Sequence, residues 1–171
     1  DSISDDGLEV KISEGRGNYS TFASSLGWNK GIHSFALEHV NPASSYSAFG
    51  VGVVSSEEIA RIGTDDEEYF LFTQNRDVIG YSLDALNSIQ EVQDGSYNYL
   101  HSANVNADGP RIATVVIDCD NWNLTFYINN EICNKSLEIV KDKTYHPVFT
   151  VCQGYMISLR LTDTTINIDK R

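Results

Sequence analysis

The sequence predicts an all-β domain, a two-layer antiparallel β-sandwich with at most one or two short helices. Three observations carry this expectation. Apolar side chains recur with a period of two, several short runs are continuously β-branched or aromatic, and turn residues interrupt them at regular intervals. No long stretch carries the helical period of about 3.6 residues.

The elements follow in chain order. Leu8-Glu9-Val10-Lys11-Ile12 alternates apolar and polar, which places one strand face in the core and the other in water. Phe49 to Val54, Tyr69 to Phe72 and Ile112 to Ile117 are nearly continuous in apolar residues, the pattern of strands covered on both faces. Ser55 to Gly63 predicts one short helix, with a Ser cap, Glu57 and Glu58 in its first turn and a Gly stop. Asp94 to Asn106 reads as the least ordered stretch, followed by the turn residues Asp108-Gly109-Pro110. Asp118 to Asn123 reads as a hairpin loop, and Asn129-Asn130 as a tight turn with positive φ, which Asn tolerates. Ile157 to Leu161 alternates again. Phe35, Phe126 and Phe149 are candidate core residues, whereas Tyr46, Tyr97, Tyr99, Trp122 and Tyr155 fall in or beside predicted loops. Loop aromatics offer stiff, amphipathic contact area, so as a set they read as a binding surface.

Length and charge bound the function. A chain of 171 residues fits a single domain spanning 1–171, and the start at Asp1 reads as a piece cut from a longer protein. Leu, Ile, Val and Phe make up more than a quarter of the chain, above the roughly one-fifth below which chains stay disordered. Twelve Lys and Arg face 24 Asp and Glu, a net charge of −12. Such a chain is repelled by phosphate backbones and anionic lipid, so neither nucleic acid nor a membrane is the expected partner. No apolar run reaches the ~20 residues of a membrane-spanning helix. Cys119, Cys133 and Cys152 lack zinc-site spacing, and an odd count is expected to remain as thiols, in the cytoplasm or nucleus.

Catalytic patterns are weak. Gly15-Arg16-Gly17 has no third Gly and no helix behind it, so it is a poor phosphate cradle. Asp118-Cys119-Asp120 begins like a calcium loop, but Trp122 and Asn129 occupy positions that need other ligands. Asp65-Asp66-Glu67-Glu68 reads as a solvated loop. His33, His39, His101 and His146 mark no nucleophile by their spacing. No catalytic residue, metal ligand or cofactor is assigned, and the chain is expected not to be an enzyme.

Four segments carry a family resemblance. Gly27-Trp28-Asn29-Lys30-Gly31-Ile32-His33-Ser34-Phe35-Ala36-Leu37-Glu38 resembles the strand that opens a SPRY domain, where a Gly-Lys-His stretch leads into Tyr-Trp-Glu-Val. Ala48-Phe49-Gly50-Val51-Gly52-Val53 resembles the V-G-V strand that follows. Ile117-Asp118 through Leu124-Thr125-Phe126-Tyr127-Ile128-Asn129-Asn130 resembles the L-D…G-T-L-S-F-Y-x-N-G hairpin, and Tyr145-His146-Pro147-Val148-Phe149 the Y-P-V-F strand. They stand in the family's order between about Gly27 and Leu161. The sequence departs from the pattern with Phe35 for Trp, Ala36 for Glu, Trp122 for Gly and a long insert from Ser55 to Glu68.

The resemblance implies a concanavalin-like SPRY jelly roll and a non-catalytic module that binds a protein or short peptide through loops at one edge. Such modules serve as substrate-recognition parts of ubiquitin ligases or as scaffolds. In SPRY members attached to a SOCS box, the peptide pocket uses a loop before the opening strand, a Tyr after V-G-V and a Val-Trp-Gly after Y-P-V. On this chain these positions fall on Tyr19, Ser20 and Thr21, on Tyr69, and on Cys152, Gln153 and Gly154. Gly154 matches, while Gln153 stands in place of Trp. The acidic charge adds the expectation of a partner with a basic segment, and the isolated domain is expected to be monomeric. The alternative is a carbohydrate-binding, lectin-like sandwich in which Trp122 stacks on a sugar.

Overall fold

The computed structural model describes residues 2–3, 9–12, 19–39, 49–59, 78–83, 88–93, 96–102, 111–132, 136–152 and 157–162. The strands begin with β1 (Ser2–Ile3), β2 (Glu9–Ile12), β3 (Tyr19–Ala23), β4 (Ile32–His39) and β5 (Phe49–Ser55). One helical turn, α1 (Ser56–Ile59), follows directly. Then come β6 (Val78–Leu83), β7 (Ser88–Gln93), β8 (Ser96–Ser102), β9 (Arg111–Asp118) and β10 (Asn123–Ile128). β11 (Glu131–Ile132), β12 (Leu137–Glu138), β13 (Tyr145–Cys152) and β14 (Ile157–Thr162) complete the series. Among the described residues no helix is long and apolar enough to cross a membrane.

The strands form two antiparallel sheets. The first runs β1-β2-β14-β4-β9-β10-β11, with β12 also on β10, and the second runs β3-β13-β5-β6-β7-β8. Their inner faces meet in one core. Phe35 and Leu37 of β4, Ala113, Val115 and Ile117 of β9, and Leu124, Phe126 and Ile128 of β10 face Val51, Val53, Tyr145 and Phe149 of the second sheet. β10 alternates strictly, each second side chain buried. The continuous runs behave differently, as predicted: residues 113–117 and 51–55 are buried on both strand faces. Phe35 fills its position with 2% exposure, and the Trp28 ring packs against it at 6.3 Å.

Two sequence expectations need correction or restriction. The stretch Asp94 to Asn106, read as the least ordered, contains β8, so Tyr97 and Tyr99 stand on a strand rather than in a loop. Its polar, Tyr-rich composition looks like a loop, but pairing with β7 decides its state. The helix shrinks to the single turn of α1 within its described part. The predicted strand Tyr69 to Phe72, the remaining helix residues from Ala60, and Tyr46 and Tyr155 lie outside the described residues.

β13 presents a local problem with a visible solution. It lies between β3 and β5, yet carries Pro147, which has no N–H for the ladder. The Pro147 carbonyl still accepts the Ser24 N–H at 2.9 Å, but the Ser24 carbonyl receives nothing in return from Pro147. The neighbouring side chain supplies the missing donor: His146 Nδ1 lies 3.1 Å from the Ser24 oxygen. A carbonyl only accepts, so Nδ1 carries the proton and Nε2 accepts from the Ser56 hydroxyl at 2.8 Å. Gly27 makes room for this ring. A Cβ there would fall 2.6 Å from His146 Cε1 and 2.8 Å from Thr144 Cγ2.

The β10–β11 turn is equally specific. Asn129 and Asn130 have φ of 47° and 69°, the left-handed pair that a two-residue hairpin turn requires. Asn129 also exchanges hydrogen bonds with Ile112, donating its N–H to the Ile112 carbonyl and accepting the Ile112 N–H on Oδ1, both at 2.9 Å.

Two stability predictions result. Asn130→Gly stabilises the domain by about 0.5 kcal/mol in chemical denaturation, because Gly takes positive φ without strain, whereas Asn129→Gly destabilises it by about 1 kcal/mol through the lost acceptor. His146→Ala costs about 1–3 kcal/mol by orphaning the Ser24 carbonyl, and Ser56→Ala costs less than about 1 kcal/mol.

Candidate functional site

The residues carried over from the family resemblance fall on two paired strands. In the β3–β13 register, Tyr19 stands opposite Cys152, Ser20 opposite Val151 and Thr21 opposite Thr150. Tyr19, Ser20, Thr21 and Cys152 are far apart in sequence, yet the backbone brings them to one end of the second sheet. Tyr69, Gln153 and Gly154 lie outside the described residues. β5 and β6 reach the same end with Phe49 opposite Leu83.

The opposite end is knitted together by loops. Asp118 Oδ1 accepts the N–H groups of Asp120 at 3.0 Å and Asn121 at 2.9 Å, and its Oδ2 accepts Asn121 Nδ2 at 2.8 Å. Asp120 Oδ1 accepts the Gly31 N–H at 2.8 Å, and the Gly31 carbonyl accepts the Cys119 N–H at 2.9 Å. Gly31 has φ +79°, where a side chain is strained. These bonds tie the β3–β4 connection to the β9–β10 hairpin. Both Asp118 oxygens and Asp120 Oδ1 are thus engaged by the protein's own donors, and among the described residues no cluster of three or more His, Cys, Asp or Glu is arranged to hold a metal.

Trp122 ends the hairpin turn at φ +56°. A left-handed conformation costs a side-chain-bearing residue roughly 1–2 kcal/mol, which explains why the resembled motif has Gly here. The packing offsets this: the half-buried indole lies against the core, and the Trp122 carbonyl accepts the Ile139 N–H at 2.9 Å. On the β3–β4 connection, Trp28 stacks on His33 with centroids 4.7 Å apart and planes 5° apart, and His33 Nε2 donates to the Lys30 carbonyl at 2.8 Å. Lys143 pairs with the exposed Glu57 at 2.9 Å, a contact that solvent screens.

Two groups in the hairpin titrate abnormally. Burial pushes the Asp118 carboxyl up, but the bonds from the Asn121 side chain and from the Asn121 and Asp120 N–H groups outweigh it, leaving a lowered pKa. Cys119, 1% exposed and free of any disulfide, is pushed up to about 11, first by burial and then by the charges of Asp120 and Asp118. The folded state therefore keeps a thiol where the unfolded chain ionises near 9. That contribution to stability is complete below pH ~9 and is lost as pH rises towards 11. Denaturation measured across this range declines more steeply for the native sequence than for Cys119→Ala, and iodoacetamide leaves Cys119 unlabelled at pH ~8 until the domain unfolds.

Sequence reasoning missed the role of His146, and it did not show that β3 ends its sheet. A Pro inside a strand that other patterns place in the interior was the available signal for the first. The second depends on which strands end each sheet.

Neither protein-family models nor curated proteins give a match to this sequence. Solved structures do match. The SPRY domain of human HERC1 shares the fold with a TM-score of 0.68 and 16% identity, over 97% of this chain and 94% of that one. The TRIM65 PSpry domain matches with a TM-score of 0.67 and 14% identity, over 95% of this chain and 85% of its own. At these identities the likeness is one of fold, and it agrees with the four motifs in their order along the chain. The chain has the fold of a SPRY domain.

Proposed function

We propose that this domain is a non-catalytic interaction module that binds a protein or short peptide at the end of the sandwich where β3 meets β13. The observation that carries this reading is the register that sets Tyr19 opposite Cys152. It gathers on one sheet end two segments that the family resemblance selects independently. A rigid sandwich fixes such segments before binding, so little ordering entropy opposes association. In this reading Tyr69, Gln153 and Gly154 complete the surface. The net charge of −12 favours a partner with Lys or Arg beside its contact segment, with association faster at low salt. A parent ubiquitin ligase or scaffold, a cytoplasmic or nuclear setting and a monomeric isolated domain belong to the same reading.

The carbohydrate alternative draws no support from the hairpin. Its Trp122 packs against the core, and its Asp118 carboxylate caps its own turn.

The test is an affinity capture from a cell lysate, comparing the native domain with Gly154→Trp and Tyr69→Ala, read by mass spectrometry. Each variant is first shown to unfold at a temperature close to that of the native domain. The expected outcome is a small set of proteins retained by the native domain and lost by both variants. Identical captures by all three baits sink the proposed surface.

A further inference from the structure

We infer that the partner of this domain is an extended peptide segment that adds as a further strand to the outer edge of β3, pairing with the backbone of Tyr19, Thr21 and Ala23. This rests on the peptide-binding reading above and specifies its mode.

The alternation of the β3–β13 ladder decides which groups are free. Ser24 gives its N–H to Pro147, and Trp28 and Tyr145 exchange both hydrogen bonds at 2.8 Å. These residues of β13 are the odd-numbered ones, so their backbone groups face β3. In an antiparallel ladder successive residues direct their N–H and C=O to opposite sides. Ser20, Phe22 and Ser24 therefore point at β13, and Tyr19, Thr21 and Ala23 point away from it. β3 ends its sheet, and among the described residues no strand pairs with its outer side. Among the described residues these N–H and C=O groups form an unpaired row that matches an extended backbone, and this chemistry names the occupant.

Among the described residues the other sheet ends are guarded, and β3 is not. β1 and β11 are two residues long, and β11 carries Glu131. β8 is longer, but its register jumps: Ile89 faces His101 while Gln90 faces Tyr99, leaving Leu100 as a bulge. A bulge twists an edge away from a new partner. β3 keeps an unbroken register over its five residues, Tyr-Ser-Thr-Phe-Ala, without charge or Pro. It also includes all three residues that the resemblance assigns before the opening strand.

The probe is a linear peptide of about twelve residues, selected on the native domain from a random phage-displayed library and then synthesised. Without peptide, the Thr21 and Ala23 amides exchange with solvent faster than those of Phe22 and Ser24. Adding the peptide is expected to slow Thr21 and Ala23 at least about ten-fold. N-methylation of the peptide at alternate positions weakens binding about ten-fold or more in one phase and little in the other, a readout that needs no change to the protein. Thr21→Pro removes an outward donor only, and is expected to weaken binding about ten-fold in a domain that still folds. A peptide lost by Gly154→Trp that leaves the Thr21 and Ala23 amides unprotected, with both methylation phases alike, overturns strand addition while the end surface stands. Peptides indifferent both to Gly154→Trp and to methylation, or failure to select any, overturn both readings. Protection that grows with protein concentration in the absence of peptide assigns the edge to a second copy and overturns the peptide.

Discussion

The antiparallel pairing of β13 with its two neighbours is the constraint on which the rest of the second sheet depends. It holds β3 on one side and β5 on the other, and contributes Tyr145 and Phe149 to the core. Placing Pro147 there removes one ladder donor on the β3 side alone. The His146 imidazole restores it and, through its other nitrogen, reaches Ser56 at the start of α1. One side chain thereby couples the β3–β4 connection, β13 and α1. The same register determines which β3 backbone groups are spent internally and which face outward.

A second set of contacts ties the β3–β4 connection to the β9–β10 hairpin at the end opposite the proposed peptide surface. Asp118 closes its own hairpin turn, Asp120 holds Gly31, and Trp122 accepts from Ile139. The strained backbone of Trp122 is tolerated because its indole gains contact with the core. These loops use their polar groups on one another. The β3 edge is different: half of its backbone hydrogen-bonding groups point away from β13, where among the described residues no strand lies. The loop contacts and the proposed peptide surface thus lie at opposite ends of one sandwich.

The sequence by itself determined the class of the fold and much of its strand order. Period-two alternation marked β2 and β14, and the continuous apolar runs marked β5 and β9 as buried on both faces. Asn129-Asn130 announced its left-handed turn. These features are local: periodicity and turn chemistry act over a few residues and can be read from them. The resemblance added the order of four motifs and the positions Tyr19, Ser20, Thr21 and Cys152, which share one sheet end in the fold.

Tertiary structure decided what pairing across the chain decides. β8 is a strand because β7 lies beside it, although its composition looks like a loop. His146 is a backbone donor because Pro147 faces Ser24, a residue more than a hundred positions away. Cys119 holds its proton to high pH because the sheets bury it beside two carboxylates. The outer edge of β3 exists because this strand ends its sheet, and sheet order is a property of non-local hydrogen bonds that no local pattern encodes.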